Sequence, residues 1–161
     1  MTGIKSTVFA MILLAGIGGR IEAVNAGNNA EVATLAGGCF WCLEAVFEEL
    51  EGVHKVESGF AGGNFKASYE EADVGTQYRS AIFYHDDGQK ALAGKAIVTL
   101  TEEKIWPNKV VTEIAPFDKF FKAESHHQDY YRNNKSQGYC QVVINPKLDK
   151  FRKQFAARLK D

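Results

Sequence analysis

Methionine is nearly missing from this 161-residue chain, which has only Met1 and Met11. Neither sign of charge dominates: the formal net charge is -1 with 24% charged residues. That balance removes any electrostatic argument for nucleic acid or for a strongly acidic substrate. No second Cys-x-x-Cys accompanies Cys39–Cys42, so a four-cysteine zinc site is excluded. Cys140 with His126 or His127 would be needed to complete any zinc set. The apolar run Val8–Ile17 is too short for the roughly 20 residues a membrane-spanning helix needs. Internal repeats and low-complexity linkers are absent, and the length suits one domain that can bury a core without metal or disulfide.

The N-terminus differs in character from the rest. Lys5 precedes the apolar run, small residues follow, and Val24-Asn25-Ala26 offers a cleavage site before Gly27. This is the layout of a secretory signal peptide, giving a leader over 1–26 and a folded domain over 27–161. The expected location is the periplasm or the cell exterior, with no membrane attachment after cleavage. The leader holds no cysteine, which argues against a lipid anchor. Removing it would also remove both methionines. A chain working among oxidants benefits, because methionine sulfoxide disrupts packed cores.

The hydrophobic periodicity alternates between the two regular structures. Glu31–Ala36 reads as a strand ending at Gly37-Gly38. Leu43, Val46, Phe47 and Leu50 then recur at helical spacing, with Glu44, Glu48, Glu49 and Glu51 assigned to the opposite, solvated side. Val53–Phe60 and Ser80–Tyr84 read as strands, Lys90–Lys104 as a helix, and Val110–Ile114 as a strand ended by Pro116. Asp118–Asn133 is aromatic and partly helical in pattern. Tyr139–Ile144 suits a strand or extended tail, and Pro146 opens a final amphipathic segment. Such alternation favours an α/β or α+β domain over a helix bundle or a sandwich.

Chemistry concentrates in Gly37-Gly38-Cys39-Phe40-Trp41-Cys42. A cysteine at the first turn of a helix meets unpaired N–H groups and the positive end of the helix dipole. Both favour thiolate over thiol and make the sulfur nucleophilic near neutral pH. The glycines keep the approach to the sulfur free of side chains, and Phe40 and Trp41 form a wall suited to a methyl or thioether group. On spacing alone, Cys-x-x-Cys is compatible with a redox pair, half a zinc site, or coincidence.

Gly38-Cys39-Phe40-Trp41 with Glu44 resembles the signature of the peptide methionine sulfoxide reductase A family. Four more stretches are similar to it in the same order: Val56–Gly63, Asp73–Ser80, His127-Gln128-Asp129-Tyr130 and Gly138-Tyr139-Cys140. The resemblance implies an α+β, two-layer, ferredoxin-like fold that reduces methionine (S)-sulfoxide, free or in proteins, without a cofactor. It implies Cys39 as nucleophile, Cys140 as the recycling thiol, and a thioredoxin-like dithiol as reductant. Cys42 stands as an alternative resolving thiol by proximity. Tyr69, Tyr78 and Asp73 match residues near the sulfoxide oxygen. Phe40, Trp41, His127, Tyr130 and Tyr139 match the aromatic surroundings of the substrate methyl.

One departure from the family is internal. Between Ala72 and Asp73 the family carries several dozen further residues, among them a Gly-His-Ala-Glu motif whose glutamate donates a proton. This chain has no such motif. One strand and one helix are expected to be missing with it, and Glu70, Glu71 or Asp73 is left to substitute for the acid. Two other readings follow from the same residues: an inactive or weakly active relative that acts as a binding module, and a thioredoxin-like thiol–disulfide oxidoreductase using Cys39 and Cys42 directly. Against the latter, only one strand precedes Cys39 where that fold places a βα unit.

Overall fold

The computed structural model describes residues 30–62, 78–104 and 108–161. They fall into two compact units, one from the chain up to Gly37 with Arg79–Asp118, the other from Gly38–Tyr78 with Lys119–Asp161.

In the first unit, β1 (Thr34–Ala36) pairs antiparallel with β3 (Ala81–Tyr84), placing Leu35 opposite Ile82. β3 pairs parallel with β4 (Glu113–Pro116), placing Ile82 opposite Ile114. Parallel neighbours need a crossover, and α2 (Asp87–Glu102) supplies it. The sheet order β1-β3-β4 makes β3 central, which is why Ala81, Ile82 and Phe83 are all buried. Ala93, Ala96 and Leu100 share one face of α2, the spacing of a helix packed along a single stripe. Ala93 joins Ile82, Leu35 and Ile114 in one apolar cluster. The Asp86 side chain caps α2 by accepting the Gln89 N–H at 2.8 Å.

The second unit carries the cysteines. It contains α1 (Phe40–Phe47), β2 (Gly59–Ala61) paired antiparallel with β5 (Phe120–Lys122), and the short α3 (Tyr130–Asn133). A π-helical turn, Cys140–Ile144, runs directly into α4 (Asn145–Phe155), with Pro146 in its first turn where a missing N–H costs nothing. Ile144, Leu148 and Phe151, at i, i+4 and i+7, are fully buried. Gly59 is required by contact: a Cβ there would overlap the Phe120 ring and the Phe121 carbonyl.

An α+β chain is therefore what the sequence produces, with several elements differing from expectation. Tyr139–Ile144 is helical rather than extended, because Cys140 and Ile144 are buried on one side while the chain continues into α4. The strand expected over Val53–Phe60 is reduced to Gly59–Ala61, whose partner β5 lay hidden in the aromatic stretch after Asp118. Pro116 ends β4 from inside it rather than beyond it. Glu44 was assigned to solvent and is buried instead. The expected site of the missing strand and helix, at Ala72–Asp73, lies outside the described residues.

Candidate active site

The turn from β1 into α1 is set by Gly38, whose φ of +74° is a conformation that side chains rarely adopt. A Cβ there would meet nothing within 4 Å, so glycine is needed for the bend and not for space. The Gly38 N–H donates to the Tyr78 carbonyl at 3.1 Å, holding the loop in place.

Cys39 follows as the N-cap of α1, with extended backbone (φ -67°, ψ 124°), and is only 8% exposed. Its side chain makes no ideal capping bond, yet its surroundings favour the anion. The Cys42 thiol donates to its sulfur, the Tyr139 hydroxyl does likewise, and the N–H groups of Cys42 and Trp41 face it. Against the opposing effect of burial, these donors bring Cys39 down to about 6. Cys42 moves the opposite way, far above the usual thiol range, because it holds the shared proton, is buried, and faces the Cys39 charge. Lys147 Nζ, from the first turn of α4, lies 3.3 Å from Cys42 Sγ and partly offsets this. Cys140 is fully buried at the start of the π-helical turn, and burial together with the Cys39 charge raises its pKa. All three cysteines are free thiols.

Aromatic rings gather beside Cys39. Trp41 stacks on Tyr130 at 3.7 Å between centroids and 8° between planes, and meets Tyr139 edge-on at 5.6 Å. Phe40 lies 5.3 Å from His127 and 5.6 Å from Phe60, and His127 is 5.5 Å from Trp41. His127 has its pKa lowered by burial first and by neighbouring His126 second, which keeps the ring neutral. Among the described residues, Trp41 Nε1 and His127 Nδ1 are buried without a hydrogen-bond partner.

A polar frame holds this wall. Glu44, 2% exposed, accepts from Ser58 Oγ at 3.1 Å and from the backbone N–H groups of Asp129 and Tyr130 at 3.0 Å each. Asp129 sits at φ +51°, so the carboxylate secures a turn that the backbone alone would not choose. Gln128 accepts from the Ser58 N–H and donates to the carbonyls of Ser58 and Ala123. Tyr130 is thereby fixed on Trp41.

The structure thus brings together Cys39, Phe40, Trp41, His127, Tyr130, Tyr139 and Cys140 from the sequence-derived set, with Tyr78 adjoining through its backbone. Tyr69 and Asp73, with Glu70 and Glu71, lie outside the described residues. Sequence reasoning missed Phe60, Ser58 and Gln128 as parts of the site, although each lies in a stretch that carried the resemblance. Lys147 left no signal at all, and Glu44 was legible only as a motif residue. No three His, Cys, Asp or Glu side chains converge as metal ligands among the described residues.

A buried, acidified thiol at a helix start, opening on a rigid apolar wall, defines a cysteine-dependent enzyme of α+β fold. A family model described as peptide methionine sulfoxide reductase matches residues 31–72 and 65–159. A similar protein, peptide methionine sulfoxide reductase MsrA 1 of Rhodopirellula baltica, is 40% identical over 81% of this chain and 90% of its own. The MsrA of Nitratiruptor sp. is 41% identical over 78% of this chain and 96% of its own. The crystal structure of reduced Mxr1 from Saccharomyces cerevisiae shares the fold, with a TM-score of 0.56 at 22% identity over 68% of this chain and 88% of that one. The chain belongs to the peptide methionine sulfoxide reductase family. Its alignment with the Rhodopirellula protein runs for 174 positions, longer than the chain itself, so part of that relative faces a gap here. The two stretches that the family model matches overlap at residues 65–72.

Proposed function

We propose that this chain reduces methionine (S)-sulfoxide, free or in proteins, to methionine, with Cys39 as the nucleophile. The observation that carries the reading is the Cys39 sulfur, made anionic by its donors and set beside Phe40, Trp41, His127, Tyr130 and Tyr139. The rings would take the substrate methyl, since thioether and methyl groups pack well on aromatic faces. The thiolate attacks the sulfoxide sulfur while a proton reaches its oxygen. Methionine leaves and Cys39 becomes a sulfenic acid. A second thiol closes a disulfide, which a thioredoxin-like dithiol reopens. Cys140 holds that second role by resemblance. Tyr69, Tyr78 and Asp73 are proposed to face the oxygen, with Glu70 or Glu71 standing in for the absent acid.

We also infer that residues 1–26 are an export leader and that the enzyme works in the periplasm or outside the cell, on the pattern of Lys5, Val8–Ile17 and Val24-Asn25-Ala26. Exported protein should begin at Gly27 on N-terminal sequencing, and an intact Met1 there contradicts the inference.

The activity is tested with purified protein, dithiothreitol and the separated sulfoxide epimers. Methionine should form from the (S) epimer only, and Cys39→Ser should abolish it. Equal turnover of both epimers, or activity surviving in Cys39→Ser, would overturn the assignment.

A further inference from the structure

We propose that Phe60 is a specificity-determining residue, seating an apolar side chain two positions from the methionine sulfoxide of an extended polypeptide substrate. The inference rests on the proposed reduction of methionine sulfoxide and names the sequence context in which that residue is preferred.

Alternate residues of a strand share one face, and directly opposite residues of an antiparallel pair share it too. Phe60 is opposite Phe121 on the β2–β5 ribbon, so the two rings lie on the same side. That side faces α1: Ser58 reaches Glu44 from it, and Phe60 reaches Phe40. Burial changes along this face. Ser58 and Ala123 are 3% and 4% exposed, whereas Phe60 keeps 36%. The covered end holds the Glu44 frame, and the open end runs past the substrate wall. Phe60 lies 5.6 Å from Phe40, which lies 6.0 Å from Trp41 and 5.3 Å from His127. Further out, Lys119 Nζ sits over the Phe121 ring at 4.7 Å from its centroid. The wall beside Cys39 is thus continued outward by one exposed ring, and the ring after that carries a cation.

A single exposed apolar residue is ordinary on a protein surface. What sets Phe60 apart is its continuity with the rings proposed to hold the substrate methyl. Free methionine sulfoxide has no further apolar group to offer once its methyl lies on Phe40 and Trp41. A polypeptide does. An extended chain turns successive side chains to opposite sides, so the residue next to the sulfoxide points away from the wall. The residue two positions along returns to the same side after about 6–7 Å. That step matches the 5.6 Å from Phe40 to Phe60. An aliphatic or aromatic side chain seated there removes its own surface and that of the ring from water. A carboxylate in the same place loses hydration against the ring.

The test uses blocked pentapeptides with methionine (S)-sulfoxide at the centre and glycine elsewhere. Leucine or serine replaces one glycine, either next to the sulfoxide or two positions from it, on each side in turn. With the intact wild-type chain and dithiothreitol, kcat/KM should be about fivefold or more higher for leucine than for serine at one of the outer positions. At the inner positions the two should agree within about twofold. In Phe60→Ser the leucine-to-serine ratio at that outer position should fall to about one, and Phe60→Tyr, which keeps the ring, should retain it. Because each ratio is taken within one enzyme, a general loss of activity or of folded protein cancels from it. Equal efficiency for leucine and serine at both outer positions of the wild type overturns the proposal without recourse to any variant. So does a leucine gain of the same size at the inner positions, or one that survives in Phe60→Ser. If neither the peptides nor free methionine (S)-sulfoxide yields methionine, the proposed function falls and this inference with it. Methionine formed from every peptide at one efficiency removes this inference alone.

Discussion

At the scale of single residues, the site depends on where charge is placed. Cys39 is acidified because four donors converge on it, and Cys42 retains a proton because that sulfur is its acceptor. Glu44 plays the complementary part as a buried carboxylate with three donors of its own. A glutamine there presents an amide N–H where the protein offers only donors. Glu44→Gln should therefore lower unfolding stability by about 2–3 kcal/mol, read from the denaturant midpoint at constant slope. Turnover should fall with it, through a displaced Tyr130. A loss under about 0.5 kcal/mol would show that the frame does not rest on this carboxylate. The sequence displayed Glu44 in the signature but assigned it to the solvated side, since an acidic residue beside Glu48 and Glu49 gives no pattern-level sign of burial. Its donors come from positions up to 86 residues away, and periodicity reads only local spacing.

At the scale of elements, sequence patterns worked where burial is one-sided and local. The start of α1, the run of β3 and the Pro146 opening of α4 were each readable, because their apolar spacing or capping chemistry is contained within the element. They failed where pairing is long-range. β5 is an aromatic strand whose identity comes from β2, about sixty residues earlier in the chain. Cys140–Ile144 carries the β-branched run Val142-Val143-Ile144, which suits a strand, yet folds as a π-helical turn that buries both Cys140 and Ile144 and runs into α4. The β2–β5 ribbon makes its own test. Gly59→Ala forces a methyl into the Phe120 ring and the Phe121 carbonyl and should destabilise by about 1–3 kcal/mol, measured by thermal or denaturant unfolding. No change would mean that the ribbon yields without cost.

At the scale of the whole molecule, the chain keeps the family's thiol and aromatic wall but lacks its Gly-His-Ala-Glu segment. The sulfoxide oxygen leaves poorly unless protonated, and a positioned acid contributes typically about 10²–10⁴-fold. Inserting the family's segment between Ala72 and Asp73 should therefore raise the single-turnover rate by about that factor. An unchanged rate would show that this chain has another donor of equal power. Cys39 with Phe40 and Trp41, and the gap, were legible in the sequence, because each is written in contiguous motif residues. The Lys147 contact was not, because it depends on how α4 packs on α1.

Ionisation of Cys39 is the property on which the chemistry of the site depends most directly. Alkylation of the intact protein by iodoacetamide, followed across pH and assigned by mass spectrometry to Cys39, reads that ionisation without assuming a substrate. Because the folded site holds the pKa down, the thiolate should be populated above a midpoint of about 6 and its reactivity should plateau by neutrality. A Cys39 that stays unreactive until pH 8.5–9, the range of an ordinary thiol, would contradict it.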